Sequence, residues 1–255
     1  MALTPATIAR RSAVIAAALV ALLAAVGASL ALGAVEIPLS TVIDALFGDL
    51  ADSPQRKIVM DIRLPTTVEA VAVGASLGVA GAVLQGALAN PLVSPDVIGV
   101  TAGAGFGATL ILLAFPGSVA LLPVGAMVFG LLAAAIVFAI AWSGRNRGGV
   151  AQVILAGIAV AALFGAATTS LMTAFPDRVG SVVFFMAGGL TPNAWTDLES
   201  FWPYFVGGLV LALVLIRPLD RLALGDDVAA SLGSRPQVIR LAAGLCAAVL
   251  ASAAA

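Results

Sequence analysis

Long uncharged, apolar stretches alternate along this chain with short segments that hold nearly all of its charges. Ser12 to Val35 is the first stretch, entered from Arg10 and Arg11. Ala70 to Pro95 is the second, and its helix is expected to begin near Thr66, just after Pro65. Val97 to Gly144 runs 48 residues without a charge, room for two spans, and Phe115-Pro116-Gly117 with Pro123 divides it. Gly148 to Pro176, Ser200 to Ile216 and the run from Pro236 to Ala255 supply a fifth, a sixth and a seventh. A membrane helix needs about 20 mostly apolar residues. The pattern therefore predicts an all-α fold, a polytopic transmembrane helix bundle of about seven spans, forming a single domain over residues 1–255. The first stretch competes with a signal peptide, whose apolar core is about 7–15 residues. This one has 24, so a retained span is expected.

Composition agrees and removes whole classes of function. Of 255 residues, 62% are hydrophobic and only 10% are Asp, Glu, Lys or Arg, against about 25% charged in a soluble domain. That leaves too little polar surface for a water-soluble enzyme, a nucleic-acid binder or a disordered chain. Histidine is absent, which removes Ser-His and Cys-His catalysis and His-ligated zinc, and no metal site is expected. The single cysteine, Cys246, lies in an apolar run and reads as a small buried residue. The single lysine, Lys57, follows Arg56 and no glycine-rich loop, so the chain has no phosphate cradle of its own. A net charge of −1 gives no reason to bind nucleic acid.

The charges set a predicted orientation, because Lys and Arg collect on the cytoplasmic side. With the amino terminus inside, Arg10, Arg11, Arg145, Arg147, Arg217, Arg221, Arg235 and Arg240 face the cytoplasm. Arg56, Lys57, Arg63 and Arg178 face outward, along with acids such as Asp61, Asp177 and Glu199.

Several local patterns carry expectations. Gly99, Gly103 and Gly107 recur every four residues, as do Gly74 and Gly78, and such spacing predicts close helix packing inside one bundle. Gly103 to Ala108 also fits a dinucleotide-binding fingerprint, but no strand precedes it, so the match is accidental. Glu69 is the one carboxylate expected within a span; its nearness to Pro65 suggests a residue stabilised by a helix N-terminus. Asn90 to Asp96, with Pro91 and Pro95, reads as a stiff, fixed connection. Between the sixth and seventh spans, Asp226 and Asp227 suit a helix start, Gly233 its stop, and Val228 and Leu232 one face. A short helix lying on the bilayer and one docking a cytosolic partner fit that spacing equally.

Read in order, the motifs form a larger pattern. They are Arg63-Leu64-Pro65, Gly81-Ala82-Val83-Leu84-Gln85-Gly86, Asn90-Pro91-Leu92, Pro95-Asp96-Val97-Ile98-Gly99, Met186-Ala187-Gly188-Gly189-Leu190 and Leu224-Gly225-Asp226-Asp227-Val228-Ala229-Ala230-Ser231-Leu232-Gly233. The chain resembles FecCD-type permeases, membrane subunits of ABC importers for ferric siderophores, haem and vitamin B12. The resemblance implies a ten-helix permease that pairs with a second permease subunit, the same or different, around a central pathway. It implies no bound cofactor and no catalysis on this chain, since ATP is hydrolysed on cytoplasmic partner subunits. It makes Leu224, Gly225, Asp226, Asp227, Val228, Ala229, Ser231, Leu232 and Gly233 the element coupled to that ATPase. Arg63, with Arg56 or Lys57, would meet an extracytoplasmic substrate-binding protein, although Thr66 stands where the family usually has a second Arg. Gln85, Asn90, Gly148, Gly149 and Val150 would belong to the pathway and its gate.

The implied cargo is a ferric siderophore, haem or cobalamin, and the implied location is the inner membrane. Because Ala255 falls inside an apolar run, before three spans that the family would add, a fragment or truncated frame is expected. The alternatives are an ion-gradient-driven transporter using Glu69, or an inactive inserted fragment; the absence of His and of a deep Asp pair disfavours a membrane enzyme.

Overall fold

The computed structural model describes residues 5–48, 53–143, 150–188 and 194–255, and among them the regular elements are all helical. They are α1 (Pro5–Ala31), α2 (Leu39–Phe47), α3 (Pro54–Lys57), a π-helical turn (Ile58–Arg63), α4 (Leu64–Leu88), α5 (Val100–Ala114), α6 (Leu122–Ser143), α7 (Val150–Ala174), α8 (Val179–Met186), α9 (Ala194–Leu222), α10 (Asp226–Ser231) and α11 (Pro236–Ala254), with single 3-10 turns at Val119–Leu121 and Pro176–Arg178. Six helical stretches among the described residues are long and apolar enough to cross a membrane, and α5 is a shorter apolar helix. A polytopic helical bundle is what the hydropathy predicts. Two compact units divide the chain: Met1–Val71 with Leu190–Thr196, and Ala72–Gly189 with Asp197–Ala255.

In the first unit, Leu30, Ile37, Val42, Ala45 and Val59 form a small core between α1, α2 and the π turn. Helix α1 ends where Arg63 takes its last carbonyls. The guanidinium Nη1 donates to Leu30 O and Ala31 O, each at 2.8 Å, and Nη2 donates to Val35 O. A cation on the orphan carbonyls of a helix C-terminus is favourable on both hydrogen-bonding and dipole grounds. A hydroxyl pair, Ser29 with Thr67 at 2.8 Å, ties α1 to α4.

The second span starts earlier than its proline suggests. Helix runs without a break from Pro54 to Leu88, with Ser53 capping its start through Arg56 N. Pro65 has no N–H for the carbonyl four residues back, and its ring crowds that carbonyl. The preceding residues, Ile58–Arg63, open into π geometry, with Leu64 N donating to Val59 O five residues back. A widened turn is how a helix absorbs such a misfit. Glu69 consequently lies about four turns inside the helix, so the expected stabilisation by a helix N-terminus does not apply to it.

The second unit packs on small residues. Its core includes Ala80, Ala87, Ala133, Ala134, Ala243, Ala247 and Ala251, with Leu84, Ile98 and Leu250 between them. Close backbone approach does the work that apolar burial does in water, because lipid offers no hydrophobic drive between helices. Gly103 lies against Phe129 O of α6, and Gly107 against the backbone of Gly125, so neither position has room for a Cβ. The expected glycine packing is therefore found on α5. On α4 it is not: a Cβ at Gly74 or Gly78 would meet nothing within 4 Å among the described residues. Interlocked rings of Phe106, Phe129 and Phe164 join α5, α6 and α7, with centroids 5.0 to 6.4 Å apart.

The third expected span is also corrected. Helix α5 has 15 residues, roughly 22 Å at 1.5 Å per residue, against about 30 Å of hydrocarbon. Its approach is irregular backbone over residues 89–99, closed by turns such as Gly99 N to Asp96 O at 2.9 Å. Val93 and Ile98 are buried in the core there, and Gly157 of α7 lies directly under Val97 O. Gly99 supplies the left-handed turn into α5, at φ 76°. Non-helical backbone at such depth is tolerated where protein buries it, and the stiff connection expected from Pro91 and Pro95 has that character. Two short helices, α2 and α8, have no counterpart in the expected pattern; Phe185 of α8 packs on Ala104, Ala108 and Ala126.

Candidate functional site

The segment after α9 folds as its sequence dictates. Leu222 N-terminal to it is buried, the chain turns at Gly225 with φ 101°, and α10 follows over six residues. Gly233, at φ 77°, ends it. There Ser234 N donates to Ala229 O at 3.0 Å and Gly233 N to Ala230 O at 2.9 Å, the paired bonds of a Schellman stop. Ala229 is fully buried against Leu222 and Ile239, which pins the helix by its inner face. Leu224, Val228 and Leu232 point the other way and are exposed at 61%, 45% and 55%. Asp227 and Ser231 are exposed beside them, the serine hydroxyl turned back onto Val228 O.

Asp226 has a different partner. Its two carboxylate oxygens accept from Arg240 Nη1 and Nη2 at 2.9 and 2.8 Å. Arg240 Nε also donates to Ala87 O at 3.2 Å, in the last turn of α4. On the sequence Arg240 counts only towards the orientation; a lone cation in the first turns of an apolar helix was the signal of a built-in contact.

A cavity of about 440 Å³ opens beside α4. Gln85 lines it with Gly78 and Gly81, and the connection adds Ser94 and Asp96. Gln85 Nε2 reaches Val93 O at 3.4 Å. Thr101 of α5 and Ala251 of α11 complete the wall, and Thr101 Oγ1 is buried with no hydrogen-bond partner among the described residues. Asn90 lies outside that lining: its Oδ1 accepts from Leu92 N at 2.9 Å and holds the turn that leaves α4. Val150 opens α7 and packs half-buried against the core. Gly148 and Gly149 fall outside the described residues.

Of the three cations expected to meet a binding protein, Lys57 is exposed and Arg56 half-buried, both on α3. Arg63, as described, is committed to the end of α1. Trp195 Nε1 donates to Met60 O at 3.2 Å, within the π turn beside them.

The sequence pattern of the FecCD transport family matches residues 19–255. This chain belongs to that family. Among FecCD relatives, the iron(3+)-hydroxamate import system permease protein FhuB of Bacillus subtilis (strain 168) is 34% identical over 227 residues, covering 89% of this chain and 59% of the relative. The Fe(3+)-citrate import system permease protein YfmE of the same organism is 32% identical, covering 88% and 69%. The ferric enterobactin transport system permease protein FepG of Escherichia coli (strain K12) is 34% identical, covering 87% and 67%. This FecCD chain thus spans 59% to 69% of the length of these relatives. A solved structure assigned to the metal-chelate type of ABC transporter, in an inward-facing conformation, superposes with a TM-score of 0.73. It is 27% identical and covers 91% of this chain and 70% of that one.

Proposed function

We propose that this chain is the membrane-spanning permease subunit of an ATP-driven importer that passes a ferric chelate into the cytoplasm. The cargo class follows from the relatives, whose names give iron(3+)-hydroxamate, Fe(3+)-citrate and ferric enterobactin. In this reading the chain is one permease domain of the inner membrane with a cytoplasmic amino terminus, and it performs no covalent chemistry. Its partners are a second permease subunit, cytoplasmic ATP-hydrolysing subunits and an extracytoplasmic binding protein. Arg56 and Lys57 meet the binding protein, while Arg63 shapes that surface by fixing the end of α1.

One observation carries the reading: α10 and its flanks present three exposed apolar side chains, Val228 on the helix with Leu224 just before it and Leu232 at its end, on a segment stopped and pinned from below. A six-residue helix is not stable alone, and this one is held rigid with its apolar stripe outward. That arrangement suits insertion into a groove of a partner protein. Nucleotide binding to that partner then shifts the permease between two states, by as much as its affinity for them differs.

The test is co-purification of the permease with its ATP-hydrolysing subunit. Leu232→Asp should reduce the recovered complex by about tenfold or more, as expected for charging the apolar centre of an interface. Iron uptake should fall with it. Full recovery of the complex together with normal uptake would sink the proposal.

A further inference from the structure

Arg240 joins three elements at one point. Its guanidinium holds both carboxylate oxygens of Asp226 on α10, at 2.8 and 2.9 Å, and the Ala87 carbonyl of α4, at 3.2 Å. The side chain itself stands in the first turns of α11. Arg240 is 14% exposed and Asp226 53%, so the cation is largely out of solvent while the acid keeps one side free. Beneath them Leu222, Ala229 and Ile239 form a closed apolar pad, with Leu219 against it. The same Leu219 is the nearest neighbour of Gly86 on α4.

Chemistry makes this joint stiff. A bidentate carboxylate–guanidinium pair fixes distance and orientation together. The third N–H satisfies a carbonyl in the last turn of a helix, a position left without an intrahelical partner and carrying the negative end of the dipole. A short helix pinned only by Ala229 could rock on its pad; one also held by Asp226 moves with whatever holds Arg240. From Ala87 the path is short, since Gln85 lies two residues back on the cavity wall and residues 90–99 continue directly from the end of α4.

We propose that Arg240 is a positioning residue that transmits displacement of α10 to the end of α4, and so to the cavity wall at Gln85 and the buried connection behind it. Asp226 then faces inward as the linkage, and docking falls to Leu224, Val228 and Leu232. This inference rests on the permease reading above.

The experiment uses the importer assembled with its ATP-hydrolysing subunits and binding protein in liposomes, scoring co-purification, ATP hydrolysis and iron moved per ATP. Arg240→Gln should leave co-purification and hydrolysis close to wild type and lower iron moved per ATP by about tenfold, within the range of coupling factors between sites. Asp226→Asn should lower iron moved per ATP to the same extent, and Asp226→Arg with Arg240→Asp should recover most of the loss. A purely structural role would lower all three readouts together. Unchanged iron per ATP in Arg240→Gln would overturn the proposal. So would loss of co-purification in that variant, which would make the pair part of the docking surface. Leu232→Asp is run beside them: if it leaves the complex intact, the docking reading fails, and the joint fails with it.

Discussion

Two helices of this molecule carry glycines four residues apart, and they use them in opposite ways. On α5, Gly103 and Gly107 touch the backbone of α6, and the contact is so close that no side chain fits. On α4, Gly74 and Gly78 present the same spacing to open space among the described residues. Helix α4 is not loosely held for that reason. Its opposite side is buried at Ser76, whose hydroxyl donates to Leu250 O of α11 at 2.8 Å. Small-residue spacing thus marks a face that can be approached closely, but only a neighbour turns it into an interface.

The contrast can be broken by making the same change on both helices. Gly107→Ala should cost about 2 kcal/mol, because the added methyl overlaps the Gly125 backbone and α6 must move. Thermal unfolding in detergent micelles reads this directly. Gly74→Ala should raise the midpoint slightly, for a gain of about 0.5–1 kcal/mol in stability, since it adds helix propensity and its methyl meets nothing within 4 Å among the described residues. A loss at position 74 as large as that at 107 would mean that the α4 face is filled. Ser76→Ala sharpens the picture with the smallest effect, about 0.6 kcal/mol, the usual size of an interhelical hydrogen bond in a membrane. No measurable change there would mean that the hydroxyl adds nothing to how α4 is held on its buried side.

Much of the fold was legible because punctuation and helix chemistry agree. Pro116, Gly117 and Pro123 divide α5 from α6 where expected, Gly233 stops α10, and Pro236 opens α11. Pro65 misled because a proline is read as a helix start, whereas a π turn lets the helix run through it. The shortness of α5 was hidden for a related reason. Val93 and Ile98 are as apolar as helix residues, and hydropathy does not tell a buried turn from a span.

At the candidate site, the stripe of Val228 and Leu232 was visible from spacing alone. The roles of Arg63 and Arg240 were not. Each answers a carbonyl at or near the end of another helix, 32 to 153 residues away in sequence, and a count of charges by side carries no record of which carbonyl lacks a partner. For the same reason Thr101, an unremarkable residue in the sequence, gained interest only once its buried hydroxyl was placed on the cavity wall.

The unbroken helix from Pro54 to Leu88 can also be used as a ruler. Its 35 residues measure roughly 52 Å at 1.5 Å per residue, while the hydrocarbon layer is about 30 Å thick. For a helix parallel to the membrane normal with Leu88 at one edge of the layer, that thickness is used up near residue 68. The turns that carry Arg56, Lys57, Asp61 and Arg63 then fall in the part of the helix that exceeds that thickness. A single helical stretch thus begins beside Arg56 and Lys57 and reaches Gln85 with no loop in the chain between them.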